Sequence, residues 1–314
     1  LKVSSRPTSP ENGSIAVGEI RGVRLGFDSP STMGSTEPER EFQLTCVRPG
    51  SKDRTLVPPY CLIDRTLTCA DGQRRPIKIG IIGFLPPQTA QWDRDALHGR
   101  AETRDIVESA RAWVPRMRAA GADLVIALAH SGIGALAHEV GMENAATALA
   151  AEVDVDVVIA GHSHLLFPSA HFNGMPGVDA QAGKLAGKPA VMAGACGSHV
   201  GAIDLLLSPE GNGWAIRSAR TSVHPVPQDI PGEGRILAVA ATEHAATRHY
   251  MARCIGRTAT PLYTPFAMLT ETPALRLICD AQAAYVRRNL AGTGAEGLPL
   301  LSAAAPFKVG GRGG

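Results

Sequence analysis

Two histidines one residue apart, His162 and His164, close the segment Val153-Asp154-Val155-Asp156-Val157-Val158-Ile159-Ala160-Gly161-His162-Ser163-His164. A neutral imidazole binds Zn²⁺, Mn²⁺ or a similar ion through either ring nitrogen, so this pair is a candidate metal-ligating unit. The apolar, β-branched run ahead of it reads as a buried strand. Side chains at i and i+2 of a strand point the same way. The strand reading therefore aims His162 and His164 at one site from the carboxyl end, where open α/β sheets place their ligands. A loop carrying two solvated histidines is the plain alternative. A second segment repeats the design: Leu124-Val125-Ile126-Ala127-Leu128-Ala129 leads into His130-Ser131-Gly132. If the two strands are neighbours in one sheet, His130 falls beside the pair. Three strand-end histidines favour a shared site over three unrelated hydrogen-bonded residues.

The elements that must position these residues follow from pattern. Residues 77–84 read as a core strand closed by Pro86-Pro87. Residues 105–119 carry an amphipathic helix with Ile106, Val107, Ala110, Val114 and Met117 on one stripe, and Pro115 is expected to kink it. An alanine-rich helix is expected over 143–151, and strands over 189–195, 200–207 and 214–223. The last two pair across Pro209-Glu210-Gly211-Asn212-Gly213. The stretch His224-Pro225-Val226-Pro227-Gln228 marks a boundary, followed by helices over 234–248 and 272–290. Strand–helix–strand–helix–strand followed by hairpins predicts an α/β sandwich with parallel and antiparallel strands.

Composition narrows the classes of partner. The chain has 314 residues, 44% of them hydrophobic, and a formal net charge of +2. That balance offers no electrostatic footprint for a nucleic-acid polymer or an anionic membrane. No apolar run reaches the roughly eighteen residues of a membrane span. Aromatics make up 4% of the chain, too few for a base-stacking platform. Six cysteines (Cys46, Cys61, Cys69, Cys196, Cys254 and Cys279) form no Cys-x-x-Cys pair and read mostly as free thiols. No basic n-region and apolar h-region open the chain, and Phe307–Gly314 ends among glycines, as a piece of a longer protein would.

Ala129-His130-Ser131-Gly132, Gly161-His162-Ser163-His164 and Leu301-Ser302-Ala303-Ala304-Ala305-Pro306-Phe307-Lys308-Val309-Gly310-Gly311-Arg312 resemble the 5′-nucleotidase-like metallophosphoesterases. Within that family the likeness is greatest to the periplasmic cyclic-nucleotide phosphodiesterase/3′-nucleotidase type. Lys78-Ile79-Gly80-Ile81-Ile82-Gly83-Phe84-Leu85-Pro86-Pro87-Gln88 supports it, as does Gly187-Lys188-Pro189-Ala190-Val191-Met192 leading to Gly201-Ala202-Ile203-Asp204-Leu205. The likeness runs colinearly from about Glu41 to Gly314 and leaves residues 1–40 unmatched.

The resemblance implies a four-layer α/β/β/α metallophosphatase sandwich, partial here over 41–224. A linker helix and the start of a nucleotide-binding domain would follow over 225–314, after an unassigned lead over 1–40. It further implies two divalent metal ions (Zn, Mn, Co or similar), a nucleotide substrate and a periplasmic location. His130 and His162 match ligands of one metal and His164 a ligand of the other. Arg312, whose fork suits a phosphate or ribose, matches the substrate-gripping part, with a solvated tail as the alternative. The family's amino-terminal Asp-x-His pair, bridging Asp and Gly-Asn-His-Glu-like motif have no counterpart, because no histidine precedes His98. A truncated or frame-shifted reading frame is the expected cause, and at most one metal ion is expected to bind this chain. The implied reaction is hydrolysis of 2′,3′-cyclic nucleotide to 3′-nucleotide and then to nucleoside and phosphate. An inactive chain with residual metal binding, or a 5′-nucleotidase or nucleotide-sugar hydrolase, are the alternatives.

The remaining candidates carry less. His199 reads as structural, and His138, His171, His224, His244 and His249 as solvated. Asp154 and Asp156 are expected to cap structure at the strand end away from the histidines. No Gly-x-Ser-x-Gly elbow or Gly-x-x-x-x-Gly-Lys-Ser/Thr loop appears, which argues against serine hydrolase and ATPase chemistry.

Overall fold

The computed structural model describes residues 20–24, 46–50, 55–227, 229–264, 267 and 269–304. Contacts divide the chain into two units, Leu1–Ile230 and Pro231–Gly314. The first unit begins with strands β1 (Ile20–Arg24), β2 (Cys46–Val47), β3 (Tyr60–Thr68) and β4 (Arg74–Phe84). Short helices α1 (Thr89–Trp92) and α2 (Arg94–Leu97) follow, then β5 (Glu102–Thr103), α3 (Ile106–Ala119), β6 (Leu124–Ala129), α4 (Ala146–Glu152) and β7 (Val157–Ala160). Next come the short strands β8 (Leu166–Phe167), β9 (Val178–Asp179) and β10 (Lys184–Leu185). The unit ends with β11 (Lys188–Ala193), β12 (His199–Glu210) and β13 (Gly213–Pro225).

One mixed sheet has the order β3-β4-β6-β7-β11-β10-β9, with β8 added on β11. Its centre is parallel, β4 against β6, β6 against β7 and β7 against β11. Alternation along these strands serves two cores. Ile77, Ile79 and Ile81, with Leu124, Ile126, Val157 and Val191, face Ile203, Leu205 and Leu207 of β12. Ile82, Phe84, Val125, Ala127, Val158 and Met192 face the helix side, where α3 buries Ile106, Val107, Ala110, Val114 and Met117. A strand covered on both faces has no polar side to show, hence the near-continuous apolar runs. The described residues thus build a helix layer, the mixed sheet and a second sheet, β1-β12-β13. This is the expected α/β sandwich with parallel and antiparallel strands; of the four layers that the resemblance implies, the described residues of this unit form three.

Several expectations shift. The strand β3, unmarked in the sequence reading, pairs with β4 along its whole length, from Tyr60↔Ile82 to Thr68↔Arg74. Within the 1–40 lead, Ile20–Arg24 form a strand that pairs with β12 from Ile20↔Leu207 to Arg24↔Asp204. No local period marks it, because the long β12 supplies the backbone partners an edge otherwise leaves open. The helix expected from residue 143 begins at Ala146. Pro115 lies inside α3 without ending it. His138, expected to be solvated, is largely enclosed, with Nε2 2.9 Å from Asp105 Oδ1. In the second unit, α5 (Gly234–Met251) starts at a Glu233 cap and runs beyond residue 248, and α6 (Pro273–Leu290) starts at a Thr272 cap.

Asp154 and Asp156 do hold the strand ends away from the histidines. Asp156 Oδ2 accepts from Val125 N at 2.6 Å and from Arg118 at 2.7 Å, and Asp154 accepts from Arg118 at 3.0 Å.

Asp105 is the buried carboxylate that ties α3 to its surroundings. It caps the helix by accepting from Glu108 N at 2.9 Å, and also accepts from Gly141 N at 2.8 Å. Burial alone would raise its pKa, but these two amides and His138 outweigh it and hold it below the ordinary carboxylate value. A depressed carboxylate stabilises the fold above its unfolded-state pKa, and that contribution fades as pH falls through the folded value. Asp105→Ala is therefore expected to cost about 2 kcal/mol at neutral pH. Denaturation curves at pH 7 and pH 3 should show the wild-type advantage shrinking at the lower pH. An advantage equal at both would refute the ionised cap.

Candidate metal centre

The parallel register sets three chain ends abreast, since Phe84 pairs with Ala129 and Ala129 with Ala160. His130 is the first residue beyond β6, and its N–H donates to Phe84 O at 2.9 Å. Gly161 follows β7 and donates to Ser131 O at 3.2 Å, so the two histidine loops are stitched together. The His130 and His162 rings lie 5.4 Å apart between centroids. The structure therefore brings the neighbouring strand ends together at one carboxyl-terminal edge, as the pattern predicted.

The route by which His162 and His164 get there differs from expectation. The strand stops at Ala160, and both histidines lie beyond it in left-handed backbone, with φ of +66° and +59°. Strand alternation is thus not what orients them. Non-glycine residues in this region are strained and persist only where the surroundings hold them, a condition concentrated at functional sites. Burial, and then the neighbouring His162 and His164, push His130 below the ordinary histidine pKa. That favours the neutral ring, the form that binds metal.

Two residues that the sequence reading missed complete the surroundings of His162. Glu143 Oε1 lies 2.5 Å from His162 Nε2. Trp92, at the end of α1, stacks on His162, its ring centroid 5.3 Å from that of His162 with an interplanar angle of 18°. Neither contact has a local sequence signal, because both are made across chain segments far apart. The only hint was position: Trp92 follows the Pro86-Pro87 stop of β4, on the same edge of the sheet.

Arg312 lies outside the described residues. His199 stands apart on β12, with Nδ1 3.0 Å from Ser198 Oγ. The metal implied by the family can be tested against what is present. Imidazole donors suit Zn²⁺ and similar ions. Among the described residues, however, no group of three or more His, Cys, Asp or Glu side chains is arranged to hold one. His162 turns one nitrogen to Glu143 rather than to its neighbours. The described residues therefore supply part of a donor set, not a finished two-ion cage.

Comparison with known proteins agrees with this fold. Residues 38–166 match the family described as calcineurin-like phosphoesterase. The chain is 36% identical over 266 residues to the 2′,3′-cyclic-nucleotide 2′-phosphodiesterase/3′-nucleotidase of Salmonella typhimurium, covering 82% of this chain and 41% of that protein. It is also 36% identical over 258 residues to the trifunctional nucleotide phosphoesterase protein YfkN of Bacillus subtilis, covering 82% of this chain and 18% of that one. The crystal structure of calcineurin-like phosphoesterase YfkN from Bacillus subtilis superposes with a TM-score of 0.63 at 33% identity, over 68% of this chain and 64% of that one. The chain spans less than half the length of the curated relatives it matches. Its fold and these relatives agree: the chain carries a calcineurin-like phosphoesterase domain.

Proposed function

We propose that this chain is part of a periplasmic, metal-dependent hydrolase that converts 2′,3′-cyclic nucleotide to 3′-nucleotide and then to nucleoside and phosphate. The observation that carries the reading is the meeting of His130 and His162 at the abutting ends of β6 and β7. The names of the relatives direct it to nucleotide phosphoesters. In this reading residues 41–224 belong to the metallophosphatase domain, and residues 225–314 form a linker helix and the start of a nucleotide-binding domain. His130 and His162 donate to one ion and His164 to a second. When bound, such ions supply a nucleophilic hydroxide and offset charge on the attacking and leaving oxygens. The chain's own part is to hold neutral imidazoles in place on a rigid sheet edge, and Arg312 contributes to gripping the nucleotide.

The metal assignment predicts a binding pattern. Calorimetric titration with Mn²⁺ is expected to show one ion bound per chain. His130→Ala and His162→Ala should each weaken it by more than roughly a hundredfold, beyond the roughly 10- to 100-fold cost of losing an outer hydrogen-bond partner alone. His224→Ala, at an exposed position near the end of β13, should leave it unchanged. Unaltered affinity in both site variants would remove the centre from these histidines.

A further inference from the structure

We propose that Glu143 is a positioning residue for His162: its carboxylate accepts the Nε2–H hydrogen bond, fixes that tautomer, and leaves Nδ1 as the nitrogen offered to a metal ion. The inference rests on the reading of His162 as a ligand, but the ring orientation itself stands on observed contacts. The first is the 2.5 Å approach of Glu143 Oε1 to His162 Nε2. A carboxylate only accepts, so this nitrogen carries the proton whenever the bond is made. The second is Trp92, whose plane lies 18° from that of the His162 ring and restricts its rotation.

The third is that Glu143 does not reach His162 from a free loop. Its carbonyl accepts from Ser131 Oγ at 2.7 Å, and the same hydroxyl accepts from Ala145 N at 2.7 Å. Ser131 is fully buried and directly follows His130. The next turn is locked by Ala146 N donating to Gly132 O at 3.1 Å. Gly134 is needed there, because a Cβ on it would meet Asn144 O at 2.2 Å. One serine thus joins the segment carrying Glu143 to the strand end carrying His130. The same link explains why the helix expected from residue 143 starts three residues late: the Glu143 carbonyl and Ala145 amide are committed to Ser131. Carboxylates in this relation to a ligating histidine set its tautomer and basicity, and their loss typically costs 10- to 100-fold in metal affinity.

The test uses the purified chain with ¹⁵N-labelled histidine. Long-range ¹H–¹⁵N correlation spectra without metal at pH 8 report the tautomer of His162, assigned by comparison with His162→Gln. Wild type is expected to show the Nε2–H form. Glu143→Ala should show mixed tautomers and bind Mn²⁺ roughly 10- to 100-fold more weakly. Glu143→Gln keeps an acceptor oxygen and the side-chain shape, so it should retain the tautomer and most of the affinity. An Nδ1–H wild-type ring overturns the proposal, as does a Glu143→Ala variant with unchanged tautomer and Mn²⁺ affinity. If Glu143→Gln loses as much affinity as Glu143→Ala while the tautomer stays fixed, Glu143 is a ligand itself and the positioning role is wrong. A wild-type chain that binds no Mn²⁺ defeats the metal reading of His162. The tautomer spectra then still decide whether Glu143 sets the ring.

Discussion

Supplied with Mn²⁺ or Zn²⁺, the 314-residue chain is expected to hydrolyse 2′,3′-cyclic AMP and 3′-AMP at least about a thousandfold more slowly than the Salmonella typhimurium relative named for those activities. The reason lies in the donor inventory. Imidazoles are neutral ligands, and the described residues supply only part of a donor set for one transition ion. A pair of cations roughly 3.5–4 Å apart repels strongly and needs anionic ligands between them. The sequence offers no histidine before His98 and no counterpart to the family's Asp-x-His pair or bridging Asp. The second ion should therefore bind far more weakly, and the resemblance implies that the group beside the transferred phosphoryl is missing as well. Initial rates of phosphate release at saturating metal provide the measurement. Turnover comparable to the relative would show that the catalytic machinery lies elsewhere in these residues.

The second large effect is on stability. Phe167 on β8 is completely buried on the helix side of the mixed sheet and meets Phe172 edge to face, with centroids 5.5 Å apart. It follows His164 by three residues, so it anchors the loop in which both left-handed histidines sit. Phe167→Ala removes a whole ring from a filled core and is expected to cost about 3–5 kcal/mol. Typical domains have only about 5–15 kcal/mol in hand. Urea denaturation should show a large fall in midpoint with little change in slope, as for a stability change without a change of mechanism. Phe167→Leu, which keeps most of the volume, should lose much less. A midpoint shift equivalent to under about 1 kcal/mol for the alanine variant would contradict the packing described.

The histidine centre shows how far pattern reading reaches. The runs Leu124–Ala129 and Val157–Ala160 are apolar on both faces, and that alone places them in the middle of a covered sheet. His130 directly follows the first and His162 lies two residues beyond the second, so the parallel pairing of the two strands brings both histidines to one edge. Alternation did not orient His162 and His164, because the strand ends at Ala160 and the backbone turns left-handed. Positive φ at a histidine is not encoded by any neighbouring residue type. It is imposed by the packing around the loop.

The other misses have the same origin. The strand β3 lacks a strong apolar alternation, yet it forms because β4 offers it a full-length edge. Strand β1 forms against β12 for the same reason. His138 reads as a solvated residue until Asp105 is seen 2.9 Å from its ring.

By itself the sequence determined the covered strands, the amphipathic α3, and the histidines just beyond the strand ends. These depend on periodicity and on residue type within a few positions. Only the tertiary structure decided the turn of His162, its pairing with Glu143 and its stacking on Trp92. Those contacts join residues 19 and 70 positions apart in the chain, 162 − 143 and 162 − 92. Separations of that size become distances of a few ångströms only after the sheet has fixed its register.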